Sequence, residues 1–343
     1  MENVISLTHA TDIDGVGSAA LIRMKYGTGM GSIFFTDYSK EMLRYAGNGI
    51  KRTVGRGTTL IIADLAVNDM TLPYFISIVK TVKRANGRIF WFDHHPWTER
   101  AERTLAPLCD VAIFGENSRY CGAEITKIEL GLNGRFARNF CKIVHYSDFN
   151  IRPPKRMDYR TVGYYALSIA SYHLLGLRER TGALRRMTEV ISGGRLLDRK
   201  IKNDAERFRK LNDMEVDRML RHVYLGKEIA LGFAGHIQKT YACMRLIEKT
   251  GRDIGIYVNL KDKRGHMRSI SSDVSRLARR FGGGGHVHAS GFSPDFRKYC
   301  HFRKESDRSR FLADLEKAAA DEKIFTGVKD DMGEKPSREP MLN

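Results

Sequence analysis

Paired cysteines are missing from this sequence. Its five cysteines, Cys109, Cys121, Cys141, Cys243 and Cys300, are odd in number, widely spaced and without a C-x-x-C pair, which excludes a disulfide framework and a zinc ribbon and predicts reduced, mostly buried thiols. Long apolar runs are missing too. None approaches the roughly 18 to 20 residues that a membrane-spanning helix needs, and Met1-Glu2-Asn3 lacks the basic start of a secretory signal. A cytoplasmic location without membrane contact is the expectation. No internal repeat occurs, nor an aromatic-rich array of the kind on which single-stranded bases stack.

What the sequence has in excess is positive charge. The formal charge is +18 with a pI near 9.7, and such a surface accumulates and steers polyanions. The excess is lopsided: residues 1–150 hold 18 Lys+Arg against 15 Asp+Glu, whereas residues 151–343 hold 40 against 25. Taken alone, an Arg-rich surface can equally serve solubility. A chain of 343 residues, 29% of them charged, is long enough for two globular domains with cores of their own.

The first 150 residues alternate β-rich runs with helical patterns. Val4–Leu7, Ser32–Phe35, Thr59–Ala63 and Arg88–Phe92 read as strands, rich in Val, Ile, Phe and Thr and bounded by Gly or polar residues. Between them Val16–Tyr26, Thr71–Asn86 and Gly122–Leu130 read as helices, with Gly87 as a stop. This alternation predicts an α/β fold, a mostly parallel, doubly wound sheet covered on both faces. Residues 151–222 read as helical and basic. A second, smaller α/β unit begins with β-rich runs at Ile229–Phe233 and Ile254–Asn259, around a helical stretch at Tyr241–Lys249. The expected organisation is a first domain over 1–185, a helical linker over 186–225, a second domain over 226–325 and a disordered tail over 326–343.

Three clusters of His and Asp directly follow three expected strands. His9, Asp12 and Asp14 follow the first, Asp64 the third, and Asp93, His94 and His95 the fourth. The carboxyl ends of parallel strands share one edge, where ligands bind, so these residues should converge. Each cluster alone has a plain reading: Asp12 and Asp14 as helix caps, Asp64 as a lone strand-end acid, Asp-His-His as an unspecific tripeptide. Their conjunction is harder to explain structurally. Carboxylates and imidazoles without thiolates suit hard or borderline divalent ions such as Mn²⁺, Mg²⁺ or Co²⁺, and two such ions sharing a carboxylate can activate water for attack at phosphorus. Asp148, in His145-Tyr146-Ser147-Asp148, adds a fifth acid, on weak grounds from spacing alone.

His9-Ala10-Thr11-Asp12-Ile13-Asp14-Gly15 resembles the first motif of the DHH phosphoesterase family, Asp64 the second, and Asp93-His94-His95 the signature for which the family is named; Asp148 matches the fourth motif in position and order. In the second half, Phe281-Gly282-Gly283-Gly284-Gly285-His286 followed by Ala289-Ser290-Gly291 resembles the glycine-rich motif of the DHHA1 domain. The resemblance, which extends to RecJ-like exonucleases, spans both halves. It implies one ion on His9, Asp12 and Asp64, and a second on Asp14, Asp64, His94 and Asp148. Mn²⁺ is the expected metal. His95 would face the phosphate, Asp93 would orient the neighbouring histidines, and hydroxide held between the ions would be the nucleophile.

By itself the run of four glycines after the helical pattern Ser275–Arg280 reads as a helix stop and turn. Read through the resemblance, Gly283, Gly284, Gly285 and His286, with Arg268 and Ser269 upstream, form a clamp on a phosphate or terminal nucleotide, in a cleft between the two domains. The match can be slid to set either Arg268 or Ser271 at the family's arginine position. Arg268 is preferred, and His288 is read as incidental. The implied activity is hydrolysis of short RNA or DNA oligonucleotides or dinucleotides. A cyclic-dinucleotide phosphodiesterase and a 3′-phosphoadenosine phosphate phosphatase are the alternatives, pyrophosphatase is disfavoured, and a silent nucleic-acid-binding scaffold is the reading of another class. A homodimer is left open.

Overall fold

The computed structural model describes residues 3–115, 119–149, 159–235 and 237–324. The expected tail over 326–343 lies outside them, as do residues 151–158 of the expected helical stretch. The chain divides into two compact units, residues 1–211 and 212–343.

The first unit is built on five strands: β1 (Val4–His9), β2 (Met30–Thr36), β3 (Thr59–Ala63), β4 (Arg88–Phe92) and β5 (Val111–Ile113). They lie in the order β2-β1-β3-β4-β5, and every pairing is parallel. Helices cover both faces, which is why β1 and β3 are wholly buried and β3 is almost continuously apolar. On one face Ile5, Leu7, Leu60, Ile62 and Trp91 pack with α2 (Lys40–Thr53), α3 (Leu72–Arg84) and α4 (Glu99–Leu105). On the other, α1 (Ile13–Tyr26) packs with α5 (Gly122–Glu129), α6 (Arg135–Asp148), α7 (Tyr159–Tyr172) and α8 (Leu177–Ser192) through Val16, Leu21, Phe140, Tyr165 and Met187.

Helix α9 (Arg199–Leu220) contains the boundary between the units. The second unit holds a six-stranded mixed sheet, β10-β11-β9-β8-β7-β6, formed by β6 (Tyr224–Leu225), β7 (Ile229–Ala234), β8 (Ile254–Asn259), β9 (Arg264–Ser269), β10 (Gly284–His286) and β11 (Ala289–Phe292). Only β7 and β8 pair in parallel, joined through α10 (Lys239–Thr250); the other pairs are antiparallel. The opposite face is packed by α11 (Val274–Arg280) and α12 (Glu305–Asp321), with Phe292, Phe311 and Leu315 in its core.

Some elements depart from the sequence reading. Helix α1 starts at Ile13 and not near Val16, because Asp12 itself is the N-cap, accepting from Gly15 N at 3.1 Å. After α3 the left-handed residue is Asn86, with φ of 52°. Gly87 follows it and is needed for room, since a Cβ there would stand 2.4 Å from Thr58 O. The glycine-rich run is not an open turn: β10 and β11 form a hairpin pairing Gly284 with Gly291 and His286 with Ala289.

Candidate metal centre

The strand order reverses between β1 and β3: from β1 the chain moves outward to β2, and it returns to β3 on the other side. At such a point successive connections leave on opposite faces and open a crevice at the carboxyl edge. The residues singled out above as metal ligands after β1, β3 and β4 lie at this edge. Ladder hydrogen bonds run one residue past the strands, from Asp64 N to Phe92 O (2.9 Å) and from Asp93 N to Ile113 O (2.8 Å), so both acids are anchored by backbone. Asp64 adopts φ of 55°, a left-handed conformation that costs a non-glycine residue about 1–2 kcal/mol.

The side chains gather into two sets. His9, Asp12 and Asp64 offer ligand atoms within 4.8 Å of one another, and so do Asp14, His94 and Asp148. In the first set His9 Nδ1 lies 2.9 Å from Asp12 Oδ2 and 3.5 Å from Asp64 Oδ2. In the second, His94 Nε2 faces Asp148 Oδ2 at 3.5 Å and Asp14 Oδ2 and Asp64 Oδ1 at 3.7 Å. Those separations exceed ordinary hydrogen bonds. Donors ~2.0–2.2 Å from a shared cation stand about that far apart. Asp64 Oδ2 and Asp148 Oδ2 are shielded from solvent and accept no hydrogen bond among the described residues, an arrangement costly without a cation. The donor set fits divalent cations.

Proton affinities carry the imprint of this crowding. Burial opposes a charge on His94, yet the Asp64, Asp148 and Asp14 carboxylates overcome it and push its pKa up to about 10. His9 is likewise raised well above the ordinary histidine value: burial acts against it and is outweighed by Asp12 and Asp64. Burial, reinforced by Asp64 and Asp148, raises Asp14 well above the usual carboxylate range. Asp148 is pushed up to about 6 by burial, against the pull of His94. Without a cation, the cluster favours protonation.

Asp93 is wholly buried and saturated with donors. Its Oδ1 accepts from His94 N (2.9 Å), His95 N (3.2 Å) and His95 Nδ1 (2.9 Å), while Oδ2 accepts from Trp97 Nε1 at 3.2 Å. Burial would raise its pKa, but the His95 and His94 rings and these bonds hold it below the usual value. Asp93 thereby fixes the His95 ring by one nitrogen. His95 in turn is raised above the ordinary histidine value, Asp93 outweighing burial.

Several residues of the site go unmarked in the sequence reading. Trp97 lies edge-on to Trp91 at 4.6 Å and stacked on Phe114 at 4.3 Å, which aims its indole N–H at Asp93; its position two residues after His95 is the available signal. The Tyr38 ring lies 5.3 Å from that of His9, and its hydroxyl accepts from Ala66 N. Asp14 is held by α5, Gly122 N and Ala123 N donating to its two oxygens at 2.7 and 2.6 Å.

The residues expected to bind substrate belong to the second unit. Arg268, on β9, is buried: Nη2 donates to Thr240 Oγ1 (2.9 Å) and Nη1 to Met267 O (2.8 Å), while Nε finds no hydrogen-bond acceptor among the described residues. Ser271, the other candidate for that role, donates its hydroxyl to Asp253. The Ser269 hydroxyl bonds Ser272 O and His288 Nδ1, which ties the hairpin turn to the end of β9. Gly283 and Gly285 have structural reasons to be glycine. A Cβ on Gly283 would stand 2.0 Å from Gly291 O, and Gly285 has φ of 138°. Gly284 has open space beside it, and His286 ends β10, half-buried.

No family model matches the chain, and no curated protein sequence does. Solved structures do. An exopolyphosphatase-related protein from Bacteroides fragilis is similar over 94% of both chains, with 15% identity and a TM-score of 0.51. The pGpG-specific phosphodiesterase PggH of Vibrio cholerae is similar over 94% of this chain and 100% of its own, at 14% identity and a TM-score of 0.51. RecJ of Thermus thermophilus, solved in complex with Mn²⁺, matches 92% of this chain at 14% identity and a TM-score of 0.55. The chain has their fold. It spans about half of RecJ, 52% of that chain. Among the described residues no helix is long and apolar enough to cross a membrane.

Proposed function

We propose that this chain is a metal-dependent phosphoesterase of the DHH/DHHA1 type that hydrolyses phosphodiester bonds in short oligonucleotides, linear dinucleotides included. The observation that carries the reading is the pair of ligand sets on either side of one acid: His9 and Asp12 reach Asp64 from one side, Asp14, His94 and Asp148 surround it from the other. A fold shared with a pGpG phosphodiesterase and with Mn²⁺-bound RecJ supports it. So does the lopsided positive charge of the chain.

In this reading His9, Asp12 and Asp64 hold one divalent cation and Asp14, Asp64, His94 and Asp148 the other, Mn²⁺ being the natural choice. Two bound cations supply activation of water at neutral pH and neutralisation of phosphate charge. The protein's own groups do the rest. Asp93 accepts the Nδ1 proton of His95 in a hydrogen bond and favours the protonated ring, whose Nε2–H can then donate to a phosphate oxygen as charge develops on it. Arg268 and the Gly283–His286 segment hold the substrate's terminal phosphate or nucleotide, backbone amides serving where side chains would obstruct. Five free cysteines suit a cytoplasmic setting, where such substrates arise.

The test is a hydrolysis panel in Mn²⁺ or Mg²⁺: RNA and DNA of graded length, a linear and a cyclic dinucleotide, 3′-phosphoadenosine phosphate and pyrophosphate. Fastest turnover is expected on the shortest linear oligonucleotides, and equal rates on long and short RNA would overturn the length preference. Asp64→Ala should abolish turnover and reduce Mn²⁺ binding at both sites; retained activity would sink the shared-ligand assignment. His286→Ala should raise KM several-fold with little change in kcat, so an unchanged KM removes His286 from the clamp.

A further inference from the structure

We propose that the first turn of α5, acting through Glu124 and His145, is the positioning device for Asp148 and hence for the second cation site. The inference rests on the two-cation reading above. Two of the site's acids meet this turn directly and a third indirectly. Gly122 N and Ala123 N hold both oxygens of Asp14. Gly122 is packed so closely on Asp64 that a Cβ would stand 2.8 Å from Asp64 Cβ and 3.1 Å from Asp14 Oδ2. The third acid, Asp148, is reached at one remove. Glu124 Oε2 accepts from Cys121 N at 3.1 Å, closing the turn, and the same oxygen accepts from His145 Nδ1 at 2.7 Å.

His145 precedes Asp148 by three residues, so the two lie on one face of α6. Asp148 is the final residue of that helix, and final residues fray unless the last turn is docked. Its own buried oxygen accepts no hydrogen bond among the described residues, so its carboxylate is placed by the helix that carries it. His145 supplies the docking: one nitrogen is fixed on Glu124, and its ring lies 4.7 Å from that of Phe149, which in turn lies 5.8 Å from the ring of His94. A helix cap alone would need only the bond from Cys121 N. The bond to His145 joins the cap to another helix. The core of α6 is secured independently by Phe140, Cys141 and Val144, so the pair can be broken without dismantling the helix.

The experiment is Mn²⁺ titration of the chelator-stripped full chain, followed by electron paramagnetic resonance, which counts bound ions and distinguishes an exchange-coupled pair from isolated ones. In the wild type two coupled ions are expected. His145→Leu should leave one site at wild-type affinity and weaken the other at least tenfold, with loss of the coupled signal. His145→Asn, whose amide nitrogen takes the place of Nδ1 and can still donate to Glu124, should restore most of the second site. Glu124→Ala asks the same question from the other helix and serves if His145→Leu does not fold. Wild-type affinity at both sites in the variants overturns the proposal, as does equal weakening of both. A wild type that binds fewer than two ions overturns the two-cation reading instead.

Discussion

At the scale of single residues, Asp93 shows how a buried charge is made useful. Four donors, including an indole, saturate its two oxygens, so that a wholly buried carboxylate stays ionised and grips His95. Trp97→Phe keeps an aromatic ring in the cluster and deletes one bond to this charge, an interaction worth about 1.5–3 kcal/mol. A fall in kcat of about tenfold or more, with KM little changed, is expected from steady-state kinetics. An unaltered kcat would show that the indole merely fills space. Apart from Asp148, the residues proposed as ligands of the two cations were legible in the sequence because Asp and His at strand ends carry a positional meaning. Trp97, Glu124 and His145 were not, since a tryptophan in a core, a glutamate in a first helical turn and a histidine on a helix all have ordinary reasons to be where they are.

Among elements, legibility followed apolar content. Strands β3 and β4 stood out because sheets covered on both faces write near-continuous apolar runs into the chain, and β1 through Val4, Ile5 and Leu7. Strands β9, β10 and β11 did not: Arg264–Ser269 is polar, and the hairpin is mostly glycine, whose role is to let backbones approach. Helix α6 went unrecognised too, and with it the reason Asp148 belongs to the site. Asp148 is delivered by a helix end and not by a strand end. At α5 the same kind of backbone proximity is testable. Gly122→Ala would set a methyl group 2.8 Å from Asp64 Cβ. Displacement of Asp64 or of the whole first turn should lower Mn²⁺ affinity at least tenfold by calorimetric titration while the metal-free fold melts within a few degrees of the wild type. Unchanged affinity would mean that the turn yields without disturbing the acids.

For the molecule as a whole, the raised proton affinities set a pH dependence of stability. His94 has its pKa raised from 6.5 to about 10 in the folded metal-free protein. A group that binds its proton more tightly when folded contributes stability that is complete below its unfolded value and lost as pH rises through the folded one. For His94 that window runs from pH 6.5 to about 10. Asp148, raised from 3.8 to about 6, acts with the same sign at lower pH. The metal-free protein should therefore melt at falling temperature as pH rises from 6.5 to 10. In the two-cation reading, bound cations would displace these protons. The gain in melting temperature on adding Mn²⁺ should accordingly grow over the same range; a constant gain, measured by calorimetry at several pH values, would show that His94 is not among the groups displaced.

The residues proposed as ligands also come from far apart in the chain, from the end of β1, the start of α1, the ends of β3 and β4, and the last turn of α6. A cation that gathers them closes loops of some tens of residues each, as a covalent cross-link would, and the entropy it removes is that of the disordered chain. In the two-cation reading, refolding is thus expected to be coupled to metal supply. Without metal, the chain must assemble a slow, non-local parallel sheet around a cluster of buried acids; with metal bound, the same acids would favour that closure.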